Sequence, residues 1–203
     1  MVLHIPLAHD FTCPWCWIGL FQAKRLREEF GATFDWIGYE LYPEDLDWPP
    51  PSVPTVEPFG RPRIPSRLDL AYAAEGLERP TAERPKNMRI HNAHEAVEFA
   101  KMQGKADELV EILYQAYWLR GEPINEPQVL ANLAKTVIEN VPEMLKAVNE
   151  RRFKDKIIGF DAQAYSTGIW NVPTFIIGTE KLAEQPYVAI KAAVQRVRAL
   201  AAS

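Results

Sequence analysis

The sequence predicts an α/β protein in which a β-α-β segment and a β-β-α segment build one sheet, with an all-helical block inserted between them. Three observations carry that expectation. The first 42 residues place in succession an apolar run, an amphipathic stretch closed by Gly31 and an alternating aromatic–aliphatic run. From Ser66 to about Lys156 the apolar residues recur at helical spacing. From Phe175 onward there is a short apolar run, a Gly178-Thr179-Glu180 turn, a weak partner run and an amphipathic end.

Residues 2–8 read as a buried strand. Pro14 to Phe30 reads as a helix, with Trp17, Ile18, Leu20, Phe21 and Leu26 apolar and Lys24, Arg25, Arg27, Glu28 and Glu29 charged. Gly31 is placed to end it. Phe34 to Leu41 alternates as a second strand, and the intervening helix makes the pair parallel. Residues 43–65 hold eight of the seventeen prolines, including Pro49-Pro50-Pro51. Such density excludes a regular helix or central strand. It predicts a stiff surface connection, with a rim contacting substrate as the alternative. In the helical block, helices are expected over Leu68–Glu78, Ile90–Gln103 and Ala106–Leu119. Asn125 caps a helix through Val137, and Pro142–Asn149 and Glu150–Thr167 follow, the last closed by Gly168. Phe175–Ile177 and Lys181–Ala183 form a hairpin before a terminal helix over Pro186–Ala201. This order describes a thioredoxin fold with a large all-helical insertion. Residues 1–42 and 157–203 make the thioredoxin-like domain, 66–156 the insertion and 43–65 the proline-rich connection.

At 203 residues and 47% hydrophobic, the chain is long enough to bury a full core. A net charge of −4 gives no sign of a nucleic-acid or anionic-membrane partner. No run approaches the roughly 18 apolar residues of a membrane span. The start MVLHIPLAHDF lacks a basic segment and a cleavage site, so the expectation is a cytoplasmic protein. Two cysteines are too few for a disulfide scaffold.

Both cysteines fall in Asp10-Phe11-Thr12-Cys13-Pro14-Trp15-Cys16-Trp17, where the first strand meets the first helix. The unpaired N–H groups and dipole of a helix start stabilise a thiolate. Cys13, nearest that start, is the expected nucleophile. Cys16, one turn further in and more buried, is the expected resolving thiol. Pro14 presets the helical dihedral and carries no N–H where none is bonded. Trp15 is expected at the rim and Trp17 inside. A CxxC is also half a zinc site, for which His4, His9, His91 and His94 are nominal ligands. His91 and His94 share a helix in the wrong context, so no metal is expected. A second constellation, Val172-Pro173-Thr174-Phe175, precedes the third strand. With CPWC upstream, a cis Val172–Pro173 bond is expected, turning backbone edge groups toward an extended substrate. His94 is expected to be a hydrogen-bonded structural histidine. Tyr114, Tyr117 and Trp118 are expected to pack in the core, with a groove facing CPWC that receives an apolar substrate as the alternative, and Arg151, Arg152, Lys154 and Lys156 to form a solvated face.

CPWC after a first strand, a helical insertion and VPTF before the last hairpin together resemble the DsbA family of thioredoxin-like proteins, in particular its cytoplasmic FrnE-like branch. The segments Ala93-His94-Glu95-Ala96, Ala100-Lys101, Gly104-Lys105 and Leu113 to Trp118 with Gly121 resemble the insertion of that branch. The resemblance covers most of the chain and fails mainly over 43–65. It implies dithiol–disulfide exchange without a bound cofactor, with Cys13 as nucleophile, Cys16 as resolving thiol and Pro173 as the cis proline. Asp10, Pro14, Trp15 and Val172 are the implied active-site neighbours. The implied partners are disulfide- or dithiol-containing proteins or low-molecular-weight thiols, glutathione among them. Two departures stand out. Leu7 occupies the place where many relatives keep a buried carboxylate, which leaves Asp10, water or the backbone to move protons. The run Leu182-Ala183-Glu184-Gln185-Pro186 also differs from the branch's glycine-alanine pair before Gln-Pro. Two other functions are weighed. One is a glutathione-dependent transferase or isomerase of the kappa-class or 2-hydroxychromene-2-carboxylate isomerase type, whose members resemble this topology but carry serine in place of Cys13. The other is a redox-inactive binding module or chaperone.

Overall fold

A computed structural model describes residues 3–49 and 64–202. Most of the proline-rich 43–65 segment thus lies outside the described residues. The elements run β1 (His4–His9), α1 (Pro14–Phe30), β2 (Thr33–Glu40), α2 (Arg67–Ala74), α3 (His91–Lys101), α4 (Ala106–Arg120), α5 (Pro127–Ala134), α6 (Val141–Asn149), β3 (Ile158–Gly159), α7 (Ala162–Thr167), β4 (Thr174–Ile177), β5 (Glu180–Ala183) and α8 (Tyr187–Ala202). The strands form one sheet in the order β3-β2-β1-β4-β5. β1 lies parallel to β2 in the register Leu7 to Trp36, and antiparallel to β4 in the register Leu7 to Phe175. This is a thioredoxin fold carrying a helical insertion. Among the described residues, no helix is long and apolar enough to cross a membrane.

The first unit forms for local reasons. β1 is buried on both faces, with Ile5, Leu7 and Ala8 wholly enclosed, as a central strand between two neighbours must be. Pro14 starts α1 at its first helical position. Gly31 ends it in the left-handed region at φ 64°, its N–H bonded to the Arg27 carbonyl. Ser66 opens α2 through a capping box with Asp69.

Two expectations are corrected. Glu150–Thr167 is not one helix. α6 ends at Asn149, and Arg151 then takes a left-handed φ of 55° while the Arg152 N–H reaches back to the Ala147 carbonyl. A short 3₁₀ turn over Lys154–Lys156 follows, and Ile158 and Gly159 pair with Tyr39 and Glu40 as a fifth strand. Arg152 closes this exit by pairing with Glu143 and Glu150. Asn125 does not cap α5; Glu126 holds that place and the helix stops at Ala134. The Asn125 side chain instead accepts the Asn92 N–H at 2.8 Å, and its carbonyl accepts the Asn92 amide, fastening the start of α3.

The insertion backs the sheet edge nearest the cysteines. α3 packs on β2 so closely that a Cβ at Gly38 would lie 2.9 Å from the His94 ring. On the other side of β1, Gly19 of α1 meets the residue that opens β4. A Cβ there would lie 2.9 Å from Pro173 Cβ and 3.0 Å from its Cγ. Gly in a helix interior costs about 1 kcal/mol relative to Ala, so an isolated helix would gain from Gly19→Ala. In the folded chain the ring of Pro173 blocks the methyl group. We expect Gly19→Ala to lower stability by about 1–3 kcal/mol through overpacking, read as a drop in denaturant midpoint. A rise in midpoint would contradict the close helix–proline approach.

Candidate active site

Cys13 occupies the N-cap of α1 with extended backbone angles of φ −73° and ψ 120°. An oxygen side chain at this position normally accepts the free N–H groups of the first turn. Here a sulfur stands in that place. The Cys16 and Trp17 N–H groups are bonded to the Cys13 carbonyl. Pro14 has no N–H, which leaves the Trp15 N–H without an intrahelical acceptor. The Cys13 thiol donates to the Val172 carbonyl at 3.3 Å, and the Val172–Pro173 peptide bond is cis. The CPWC and VPTF segments, far apart in the chain, are therefore in contact.

Cys16 lies one turn deeper and is the more enclosed of two free thiols. Its sulfur accepts the Asp10 N–H at 3.4 Å. Burial pushes its pKa well above the ordinary thiol value, and the Cys13 and Asp10 charges push the same way. Trp15 stands half-buried at the rim under the guanidinium of Arg67, 4.5 Å from the ring centre. Trp17 is buried and stacks on Trp118.

Asp10 braces the loop. Its carboxylate accepts the Thr12 N–H and hydroxyl, each at 2.6 Å, and the Leu41 N–H at 2.9 Å from the end of β2. The carboxyl is buried, and burial raises its pKa to about 6 against the pull of those three donors. Leu7, where relatives keep an acid, is enclosed between Trp36 and Phe175.

α4 holds the loop from behind. Tyr114 donates to the Asp10 carbonyl at 3.2 Å, and Trp118 donates its indole N–H to the Phe11 carbonyl at 2.9 Å. Because the Tyr114 hydroxyl proton is committed to that carbonyl, His9 Nδ1, 3.0 Å away, must be the donor to the tyrosine oxygen. His9 is thereby fixed in one neutral tautomer, and burial drives its pKa well down, with the His94 charge adding to the effect. The expectation of a hydrogen-bonded His94 is corrected: neither ring nitrogen makes a hydrogen bond of ordinary geometry. The ring instead packs against His9, Phe11 and Gly38. Its pKa falls to about 3, chiefly through burial. His91 turns the other way, to Glu40 and Glu95. Among the described residues, no three His, Cys, Asp or Glu side chains gather as metal ligands.

Two cavities are lined by residues that neighbour Cys13 in the chain or in space. One, of about 260 Å³, is lined by Trp15, Ile18, Leu70, Ala71, Pro173 and Pro186 among others and is mainly apolar. Its far wall is Glu184, whose backbone takes a left-handed φ of 49°. There its N–H donates to the Pro173 carbonyl at 3.0 Å, and Arg67 holds its carboxylate at 2.7 Å. The departure from the branch's sequence at this turn is thus met by an ion pair. The second cavity, of about 340 Å³, is polar and passes Thr12 and Pro14. Sequence reasoning missed both Arg67 and Arg84, since neither sits in a motif.

The same fold recurs in known proteins. The chain matches a probable DsbA oxidoreductase from Streptomyces coelicolor, SCO1869, with a TM-score of 0.71 and 20% identity, over 97% of this chain and 90% of that one. It matches the cytosolic disulfide reductase DsbM of Pseudomonas aeruginosa, solved with GSH, with a TM-score of 0.62 and 18% identity, over 96% and 100%. A 2-hydroxychromene-2-carboxylate isomerase matches with a TM-score of 0.66 and 14% identity, over 98% of each chain. At such identities these likenesses speak for the fold. The sequence itself matches the model of the DSBA-like thioredoxin domain over residues 6–195. Cys13 and Cys16 at the head of α1, beside a cis proline, thus sit in a chain that belongs to the DsbA-like thioredoxin family.

Proposed function

We propose that the protein is a thiol–disulfide oxidoreductase working through a reversible Cys13–Cys16 disulfide, and that in the cytoplasm it acts as a net reductant. One observation carries this: a thiol in the capping position of α1, a second thiol buried one turn beneath it, and the Val172 carbonyl against the first. The Cys13 thiolate attacks one sulfur of a substrate disulfide. A new S–S bond forms to Cys13 as the substrate bond breaks, and the departing thiolate takes a proton. Cys16 then loses its proton and attacks Cys13 Sγ, forming the Cys13–Cys16 bond and releasing the second substrate thiol. The substrate gains two electrons from the cysteine pair and two protons, one from Cys16 and one from the solvent that took the Cys13 proton when its thiolate formed. A reducing thiol then restores the pair. The apolar cavity at Trp15 and Pro173 suits the substrate chain on one side of its sulfur, with the Val172 backbone as an edge for strand-like pairing. DsbM, a cytosolic disulfide reductase solved with GSH, supports a cytoplasmic reductant using small thiols. The isomerase reading rests on fold likeness alone, whereas both thiols of an exchange reaction are present here.

Closing the disulfide needs a base, because burial holds the Cys16 proton tightly. Asp10 suits that task. It is ionised at neutral pH, its own N–H touches Cys16 Sγ, and its charge is felt there. Proton transfer runs from Cys16 to the carboxylate, directly or through one water.

Two measurements test this reading. Cys13→Ser is expected to bring insulin reduction to the uncatalysed rate, and Cys16→Ser to accumulate a mixed disulfide seen by mass. Equal rates for wild type and Cys13→Ser would falsify the exchange mechanism. The second measurement concerns Asp10. Its folded pKa lies above the unfolded value, so the folded state binds the extra proton. That stabilisation is present below about pH 4 and is lost as pH rises through about 6. Asp10→Asn in the reduced protein should therefore gain on wild type with rising pH, by up to about 3 kcal/mol above pH 6. The same variant should slow release of the second substrate thiol. A stability difference independent of pH would show that Asp10 is not raised by burial.

A further inference from the structure

The polar cavity on the Thr12 side of Cys13 has no part in the exchange steps above. Thr12 and Pro14, the residues on either side of the nucleophile, form its near wall. Tyr72, Tyr117, Arg79 and Arg84 line the rest. Arg79 is engaged with Asp69 at 2.9 Å. Arg84 is different. Its guanidinium lies 4.5 Å from the Trp118 ring centre, and one Nη donates to the Ala82 carbonyl at 3.1 Å. Among the described residues it has no carboxylate partner, although it is only half-exposed. Its N–H groups thus serve the Ala82 carbonyl and lie toward the Tyr117 hydroxyl, and a guanidinium with five N–H donors over an aromatic face can still offer others to a planar anion.

The surroundings support that use. The Tyr72 and Tyr117 phenols are raised by burial, Tyr72 to about 12, so both stay protonated and can donate. The Cys13 charge is felt at Tyr72, which puts the phenol within electrostatic reach of the reacting sulfur. The loop carrying Arg84 is set by backbone packing. Gly121 closes α4 at φ 66°, and a Cβ on it would fall 2.0 Å from the Glu83 carbonyl oxygen. The residue before Arg84 therefore rests directly on the helix that supplies Trp118. A volume of about 340 Å³ is near the lower end for small-molecule pockets.

We propose that this cavity is a carboxylate subsite, in which Arg84 with the Tyr72 and Tyr117 hydroxyls binds an acid group carried by a small thiol or disulfide whose sulfur meets Cys13. The inference rests on the exchange reading and names its substrate class: anionic low-molecular-weight disulfides in preference to neutral ones. The bond-making steps are unchanged; the subsite aligns the substrate sulfur and offsets the repulsion between its charge and an attacking thiolate.

The test uses the pre-reduced full chain in single turnover, with dithiodipropionate as the dianionic probe and bis(hydroxyethyl) disulfide as the neutral one of similar size. Arg84→Gln should slow the dianion reaction by about tenfold and the neutral reaction by less than about twofold, the loss of one charge-assisted pair. Arg84→Lys should recover part of the difference. With wild type alone, raising the salt concentration should slow the dianion and leave the neutral disulfide unchanged; this arm decides the matter if Arg84→Gln fails to fold. Equal losses on both probes, or no loss on either, overturn the subsite while leaving the exchange reading intact. If wild type reacts with neither probe nor with insulin, the exchange reading falls and takes the subsite with it.

Discussion

Cys13 fills the N-cap of α1 and donates its thiol to the Val172 carbonyl, tying the first strand–helix unit to the last hairpin across 159 residues of chain. The contact exists only because several packing conditions are met together. β4 must sit beside β1, which the Ala8–Thr174 and Leu7–Phe175 pairings ensure. α1 must approach the start of β4 to within a missing methyl group, which Gly19 allows. The proline must then turn the Val172 carbonyl toward the helix mouth, as the cis bond does. The strand pairing and the cis bond belong to the backbone, and Gly19 takes the Pro173 ring. A site carried on helices and strands is positioned more precisely than one on loops.

Beneath this contact the molecule buries groups that water would otherwise solvate. Cys16, Asp10, His9 and His94 are all enclosed. Unpaired burial of such groups is costly, and the chain offsets much of the cost with donors from three elements: Thr12 in the loop, Leu41 at the end of β2 and Tyr114 from α4. The helical insertion is therefore more than an addition to the sheet. Its α4 supplies the tyrosine and tryptophan that hold the Asp10 and Phe11 carbonyls, and its α3 supplies the ring that fills the space over Gly38. The two histidines meet the cost differently, by staying neutral. His9 keeps one hydrogen bond, whereas His94 is packed against His9, Phe11 and the Gly38 backbone.

Much of this was legible in the sequence because local chemistry decided it. The α1 boundaries follow from Pro14 and Gly31, and the parallel pair from two apolar runs separated by one helix. CPWC and VPTF marked the two ends of the site. What escaped notice was decided by tertiary contact. β3 is two residues long and is defined by its partner Tyr39–Glu40, so no periodicity of its own could announce it. The break before it falls on Arg151, a left-handed residue that is not glycine, where composition gives no stop signal. Asn125 resembles a cap by type, yet its oxygen is taken by Asn92 from a distant helix. Arg67 and Arg84 matter through what they face, Glu184 and Trp118, and neither pairing has a sequence signature.

The displaced carboxylate shows how position governs chemistry here. Residue 7 sits in the middle of β1, paired with Trp36 on one side and Phe175 on the other. Residue 10 lies one residue past the strand end, where the ladder has stopped and the Thr12 and Leu41 N–H groups are free to donate. Burial there raises the Asp10 pKa to about 6 against the pull of those donors, and the acid is ionised at neutral pH. It also places the Asp10 N–H, rather than its carboxylate alone, against Cys16 Sγ. A sulfur that accepts this N–H is favoured as thiolate, which opposes the effect of burial. The acid at residue 10 therefore combines a carboxylate held by three donors with an N–H on Cys16 Sγ, at the point where β1 hands the chain to α1.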